Sequence, residues 1–449
     1  MRPHDELLAR FAAGASCGCG RAHPLRLREV LLGARALEEA ADRISRGPAG
    51  AIWILSDGNT EEAAGARFRS LVRGRRVSGR ILPARPRPVP TETLVAELAV
   101  EVRAAGPALL VAVGSGVVSD LGKSVSRETG VPNWAVATAP SVDAYTSATS
   151  AIRVGGYHRA LPAEPSEVVV CDLGVLATAP RTLFLAGLGD LLAKYLARLD
   201  WSIARLVAGE WFCETLSRVA VDAARRALAA ATLASRDPGA AAEALIEASL
   251  VSGLCMQGAG SSRPAAAAEH TVAHFWEMAG AVGREELDLH GILVGAASRP
   301  VLRGYAAWLP RLRTLAPDPD ARRLELDREP PWELALPAEM ERFRETLDAV
   351  ETARAPAKAA LPARLEAFGR RREEIVALAA PLLAETAEAV ATLEPLGFPF
   401  SSGELGLAEP WRSLGVRHAR RLRDRYTLFD LAHDLGDEGA LVAMVEAAL

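Results

Sequence analysis

Three of the chain's eight histidines, His270, His274 and His290, fall within 21 residues. His270 and His274 are four apart in AEHTVAHFWEM, a stretch with helical patterning, so both rings leave one side of a helix. Upstream, Asp190 follows Gly187 and Gly189 in AGLGDLLAK, where the glycines suggest a helix start. One carboxylate and two imidazoles with an open coordination position make a catalytic site for Zn²⁺ or a similar divalent ion. Spacing does not choose which two of the three histidines bind, and such an i, i+4 pair also serves as an ordinary packed or surface pair.

A second constellation suits a nucleotide. In VAVGSGVVSDLGK an apolar strand ends at Gly114, Ser115 and Gly116 and a helix follows at once. Glycines let the backbone approach a pyrophosphate, and the helix N-terminus favours its charge. The third glycine of the dinucleotide fingerprint is missing, because position 119 is Ser, and a tight strand-to-helix turn with no ligand has the same sequence. Asp57 closes the earlier strand AIWILSD, where a carboxylate can reach a ribose hydroxyl or cap the next helix. Thr138, Ser141, Asp143 and Ser147 crowd the loop ATAPSVDAYTSATS after a third strand, a ligand position in open α/β sheets or a solvated polar loop.

Two further groupings carry less. Cys17, Cys19 and His23 in CGCGRAH supply three potential ligands with no matching second cluster, which reads as a turn before the first strand. ARRLRDRYTLFD near the C-terminus could reach an anion, although its composition is that of a solvated helix face.

The elements that must position these groups change character midway. Up to about residue 180, short apolar runs at 51–57, 108–116, 133–147 and 166–176 alternate with helical stretches, the pattern of strand-helix-strand units on a parallel sheet. Beyond it the chain is Ala- and Leu-rich with helical periodicity. The fold class expected is an α/β Rossmann-like N-terminal domain, residues 1–178, followed by an all-helical domain, residues 179–449. Proline and charge between 314 and 338 mark a surface excursion between helices.

Composition narrows the partners. The 449 residues are 50% hydrophobic and 24% charged with a net charge of −4, which gives no basic field for nucleic acid or anionic lipid. Five scattered cysteines make no disulfide framework, the N-terminus lacks the apolar stretch of a signal peptide, and no apolar run suggests a membrane span. A cytoplasmic protein with a small-molecule substrate is expected. Only three of the 52 basic residues are lysines, and Lys123 and Lys194 lie inside the segments singled out above, with Lys358 in the tail.

In this order, GSGVVSDLGK, TAPSVDAYTS, AGLGDLLAKYLARLDW, SRP before EHTVAHFWEM, and LHGILVG make the chain resemble the sn-glycerol-1-phosphate dehydrogenase family, bacterial members included. That family lies within the dehydroquinate synthase-like and iron-containing alcohol dehydrogenase superfamily. The resemblance spans residues from about 17 to 300. It implies interconversion of dihydroxyacetone phosphate and sn-glycerol 1-phosphate with NAD or NADP and one divalent ion, Zn²⁺ or Ni²⁺, in an enzyme that can be a homo-oligomer. By position it implies that Gly116, Val117, Val118, Ser119 and Asp120 line the pyrophosphate, with Thr138, Ser141 and Ser147 as further cofactor contacts. Asp143 touches substrate; Asp190, His270 and His290 hold the metal, Asp190 also lying near substrate; His274 is a substrate contact and not a ligand, and as an imidazole near a cation it, or a water it orients, is the candidate for proton delivery. Arg263 is an expected phosphate clamp, because a guanidinium matches phosphate with two hydrogen bonds. The stretch Ala265–Ala268 departs from the small polar, glycine-containing turn usual there, and the tail beyond 310 is long for the family. A glycerol or polyol dehydrogenase of the same superfamily is the nearest alternative. A 3-dehydroquinate synthase-like lyase is more distant, since TSATSAIRVGG stands where that family has Lys-Thr-Gly, and a non-catalytic nucleotide binder conflicts with the complete ligand set.

Overall fold

The computed structural model describes residues 2–12, 16–47, 49–283, 289–328, 337–401 and 403–449. Eight strands form along the first part of the chain: β1 (Glu29–Gly33), β2 (Ile52–Asp57), β3 (Val77–Leu82), β4 (Leu109–Gly114), β5 (Asn133–Ala137), β6 (Thr149–Val154), β7 (Tyr157–Pro162) and β8 (Val168–Asp172). Six of them make a sheet in the order β1-β8-β5-β4-β2-β3 with every neighbouring pair parallel, and β6 and β7 form a separate two-stranded sheet.

Alternate residues of the strands build two cores, one on each face of the sheet. Ile54 of β2 and Val111 and Val113 of β4 pack with Leu37 and Phe68 on one face, while Trp53, Leu55, Leu110 and Ala112 pack with Leu98, Leu121 and Val125 on the other. Burial on both faces is why the central strands read as unbroken apolar runs.

The chain leaves β2 for the edge strand β3 and then returns to β4 on the other side of β2. That reversal puts a crevice beyond the carboxyl ends of β2 and β4, the usual ligand position of an open parallel sheet. Leu55 pairs with Ala112, so Asp57 and Gly114 close neighbouring strands at this point.

No strand follows β8 among the described residues, and the rest is helical. Close packing divides the chain into two compact units that are discontinuous in sequence. The first comprises Met1–Val154, His158–Leu191 and Asp222–Ser262, and the second comprises Gly155–Tyr157, Leu192–Val221 and Arg263–Leu449. The single cut after residue 178 expected from the sequence therefore differs from the packing, which returns residues 222–262 to the sheet-bearing unit. A reason is visible at Gly253, where an added Cβ would lie 2.2 Å from Thr146 Oγ1 and 2.7 Å from the Asp143 carbonyl, so helix Pro238–Ala259 lies directly against the loop after β5.

Among the described residues two helices are long and apolar enough by composition to cross a membrane, Pro238–Ala259 and Leu361–Leu396, a qualification to the expectation of no membrane-length stretch. The window in the first is 72% buried, that in the second 39%. The 314–338 excursion includes a helix, Pro319–Leu326, and otherwise falls partly outside the described residues.

Candidate active site: a nucleotide crevice and a histidine cluster

The glycines at the end of β4 have packing reasons. A Cβ on Gly114 would meet the Val118 side chain at 2.4 Å, and one on Gly116 would meet Val142 at 3.1 Å. Helix Gly116–Thr129 starts directly from the strand, and Ser115 makes no side-chain cap, so its first turn offers backbone amides to an anion. Val118 is 1% exposed and belongs to the core, so a ligand contact there is through backbone. Ser119 and Asp120 are buried, and the Asp120 carboxylate pairs with Lys123 Nζ at 3.0 Å.

Asp57 is the N-cap of the helical segment after β2: its Oδ1 accepts from the amides of Asn59 (2.9 Å) and Thr60 (3.0 Å). The capping alternative is thus realised, and Oδ2 is the atom that could face a ribose.

The loop after β5 is not a solvated one. Thr138, Ser141, Asp143, Thr146 and Ser147 are all buried. Tyr145 donates to the Ala139 carbonyl at 2.7 Å and Thr146 to the Leu250 carbonyl at 2.7 Å. Lys123 is fully buried and donates to the carbonyls of Ala144 (2.7 Å) and Thr149 (2.6 Å) and to Ser147 Oγ (3.2 Å). Ser147 in turn donates toward the carbonyls of Ala144 and Thr149. Ser147 therefore holds the loop together from inside, where the sequence pointed to a cofactor contact. The Asp143 amide donates to Asp190 Oδ2 at 3.1 Å, and Asp143 Oδ2 accepts from Ser252 Oγ at 2.7 Å.

Asp190 is 2% exposed and lies within the long helix Arg181–Ala208, not at its start. Gly187 lies inside this helix, and a Cβ there would stand 1.9 Å from the Pro140 carbonyl; the glycine admits the loop and does not end the helix.

Asp190 belongs to the first unit and the three histidines to the second. Helix Ala268–Gly283 carries His270 and His274, and His290 opens helix His290–Trp308. Their rings are clustered, with centroids 5.5 Å apart for His270 and His290, 5.2 Å for His274 and His290, and 6.2 Å for His270 and His274. Each Nδ1 meets a carboxylate: His270 the Glu269 Oε1 (2.8 Å), His290 the Glu277 Oε1 (2.8 Å) and His274 the Glu277 Oε2 (2.9 Å). A carboxylate only accepts, so these bonds put the proton on Nδ1 and the lone pair on Nε2, the arrangement that orients metal-binding imidazoles. His274 differs, because its Nε2 lies 3.2 Å from the Arg423 guanidinium. Burial first, with Arg423 and His290 adding to it and Glu277 opposing, pushes His274 down to about 3. It is a neutral imidazole at any physiological pH. His274, Glu277 and His290 also fall within metal-binding distance of one another, but Glu277 already spends both oxygens on imidazole N–H groups.

Sequence reasoning missed Glu269 and Glu277; both lie on the helix of the histidines, and Glu277 is one turn beyond His274. It also missed how the Ala265–Ala268 stretch is held. The Ala265 carbonyl accepts from Lys194 Nζ (3.2 Å), the Ala266 carbonyl from Arg425, the Ala267 amide donates to Glu269 Oε1 (2.8 Å) and the Ala268 amide to Asp200 Oδ2 (3.3 Å). The backbone does the anchoring, so alanine side chains suffice. Arg263 is not available as drawn from sequence: its fork holds Glu210 and its NH1 the Tyr426 carbonyl (3.0 Å). Cys17, Cys19 and His23 fold together, with the Gly20 amide on the Cys17 carbonyl and Cys19 Sγ 3.2 Å from His23 Nε2, so their ligand atoms stand within metal-binding distance of one another.

Residues 31–180, the sheet-bearing stretch, match the family model for iron-containing alcohol dehydrogenase. Solved structures agree on the fold. A probable glycerol dehydrogenase from Sinorhizobium meliloti superposes with a TM-score of 0.58 at 16% identity over 94% of this chain and 98% of that one. An archaeal alcohol dehydrogenase from a Red Sea brine pool gives 0.58 at 15% over 95% and 98%. Sequence relatives are more specific. Glycerol-1-phosphate dehydrogenase of Bacillus velezensis is 31% identical over 282 residues, 61% of this chain and 70% of the relative. That of Hyperthermus butylicus is 34% identical over 248 residues, 55% and 67%. The chain belongs to the glycerol-1-phosphate dehydrogenase family.

Proposed function

We propose that the protein interconverts dihydroxyacetone phosphate and sn-glycerol 1-phosphate in the cytoplasm, using NAD or NADP and one divalent ion, Zn²⁺ or Ni²⁺, on Asp190, His270 and His290. The observation that carries this reading is the pair His270 and His290, each held by a carboxylate on Nδ1, which makes Nε2 the ligand atom. The donor set fits the ion, since two imidazoles and a carboxylate suit borderline metals and leave a position for substrate. The names of the relatives, which specify glycerol 1-phosphate and NAD(P)+, support the substrate and cofactor classes.

When bound, the ion polarises the substrate carbonyl and the reduced nicotinamide supplies the hydride. The protein's share is position and proton traffic. The uncapped start of helix Gly116–Thr129 receives the pyrophosphate, Thr138 and Ser141 border it, and Asp57 Oδ2 faces the ribose. Asp143 is fixed by Ser252 and Asp190 to meet the substrate. His274 cannot act as a stored acid when it is pushed down to about 3. It acts as a neutral relay: on alcohol oxidation a proton enters at Nε2 while the Nδ1 proton passes to Glu277 Oε2, and reduction runs the same path backwards.

The test is reduction of dihydroxyacetone phosphate by NADH and by NADPH with Zn²⁺ and Ni²⁺ supplied separately, with glycerol and dihydroxyacetone as parallel substrates and chiral analysis of the product. Formation of the 1-phosphate is expected. Turnover of glycerol with none of the phosphorylated substrate would replace this reading with the polyol dehydrogenase.

A further inference from the structure

The arginine-rich segment near the C-terminus does not form a solvated helix face. Residues 422–428 run beside the histidine cluster, and their backbone is fastened almost residue by residue. The Leu422 carbonyl accepts from Tyr157 OH (2.9 Å), the Arg423 carbonyl from Arg354 (2.7 Å) and the Tyr426 carbonyl from Arg263 (3.0 Å), while the Leu428 amide donates to Asp200 Oδ1 (3.0 Å). Arg354 also pairs with Asp430, whose Oδ2 accepts from the amide of the N-cap residue Thr427 (2.8 Å), so the segment enters its next helix in one register.

Held this way, the segment turns two half-buried guanidiniums inward. Arg423 reaches His274 Nε2, and Arg425 NH1 donates to the Ala266 carbonyl, four residues before His270. Among the described residues Arg423 has no carboxylate at ion-pair distance, and its side-chain hydrogen bond goes to the His274 ring. Arg425 is pushed down to about 9, first by burial and then by the guanidiniums of Arg263 and Arg423, with Glu269 and Glu210 opposing. Arg423 thus stands beside the Arg425 guanidinium without a carboxylate of its own, an arrangement that a bound anion relieves.

We propose that Arg423, supported by Arg425, binds the phosphate of the substrate and so sets the preference for a phosphorylated three-carbon compound over its phosphate-free analogue. This rests on the dehydrogenase reading above and replaces Arg263, whose fork is committed to Glu210. Arg423 presents a planar fork matched to phosphate oxygens, beside the imidazole assigned to the substrate's reacting end.

The experiment uses the full chain loaded with metal. Binding of sn-glycerol 1-phosphate and of inorganic phosphate is measured by calorimetry for the parent, Arg423→Ala and Arg423→Lys, and kcat/KM is measured for dihydroxyacetone phosphate and for dihydroxyacetone. Loss of one charge-assisted fork is expected to weaken glycerol 1-phosphate about 30- to 100-fold in Arg423→Ala, with the lysine variant between. The ratio of the two kcat/KM values should fall by a similar factor. Unfolding temperatures of the variants report whether the fold is kept, and Arg423→Lys carries the test if the alanine variant does not fold. Unchanged phosphate binding and an unchanged ratio in folded variants overturn the proposal while leaving the dehydrogenase reading in place. Arg423-dependent phosphate binding in a protein that reduces no dihydroxyacetone phosphate sustains the proposal and removes that reading.

Discussion

Glu277 decides how two of the three clustered imidazoles stand. It takes the Nδ1 proton of His290 on one oxygen and that of His274 on the other. A glutamine there keeps one acceptor and turns an NH₂ toward the second ring, so one imidazole must move its proton to Nε2 or lose its bond. If His290 does so, its ligand atom is protonated. Glu277→Gln is therefore expected to weaken divalent-ion affinity about 10- to 100-fold, read by competition with a chromophoric chelator. Affinity equal to the parent's would mean that Glu277 does not orient a ligand. The residue types of this cluster were legible in the sequence, and so was the ambiguity over His274. What separates His274 from the other two is Arg423, a neighbour 149 residues away that no local pattern announces.

At the scale of elements, Asp200 joins four helices. It lies on helix Arg181–Ala208 and accepts from the Ala268 amide and the Leu428 amide, each at the head of a helix, and from Tyr305 OH on helix His290–Trp308. Burial, reinforced by Glu269, raises its carboxyl to about 7, against the pull of the two amides and Arg263. A carboxyl raised in the folded state holds its proton there while the unfolded chain has released it. Its contribution is then full below about pH 4, falls as pH rises, and is gone above about pH 7. Asp200→Asn, which cannot titrate, should remove that part of the decline. The difference in unfolding temperature between parent and variant, followed from pH 4 to 8, should change across this window and be flat above it. A difference that is constant with pH would show that Asp200 is ionised throughout. Sequence reading places Asp200 in a helix but gives no hint of a junction, because its partners come from 68, 105 and 228 residues away.

Across the whole molecule, the strands visible in the sequence are the four interior ones, β2, β4, β5 and β8, whose burial on both faces makes continuous apolar runs. The edge strands β1 and β3 were not visible: EVLLG and VSGRIL mix apolar with charged or small residues, as suits a strand with one neighbour. The missed helical interior at Gly187 and the return of residues 222–262 to the first unit share another cause. Both depend on glycines that admit a distant backbone, a requirement set by tertiary contact alone. The proposed ligands Asp190, His270 and His290 are far apart in sequence, so an unfolded chain does not present them as a set and metal occupancy should register in stability. An ion present at about a hundred times its dissociation constant adds about 2.7 kcal/mol to the folded state if the unfolded chain does not bind it. That corresponds to a rise in unfolding temperature of roughly 5 °C or more for units of this size. Chelation followed by scanning calorimetry should therefore lower the transition, and Zn²⁺ or Ni²⁺ should restore it in the parent. In His270→Ala the transition should sit at the chelated value and no longer respond to added ion. A variant that still gained the full rise would remove His270 from the ligand set, whatever its activity.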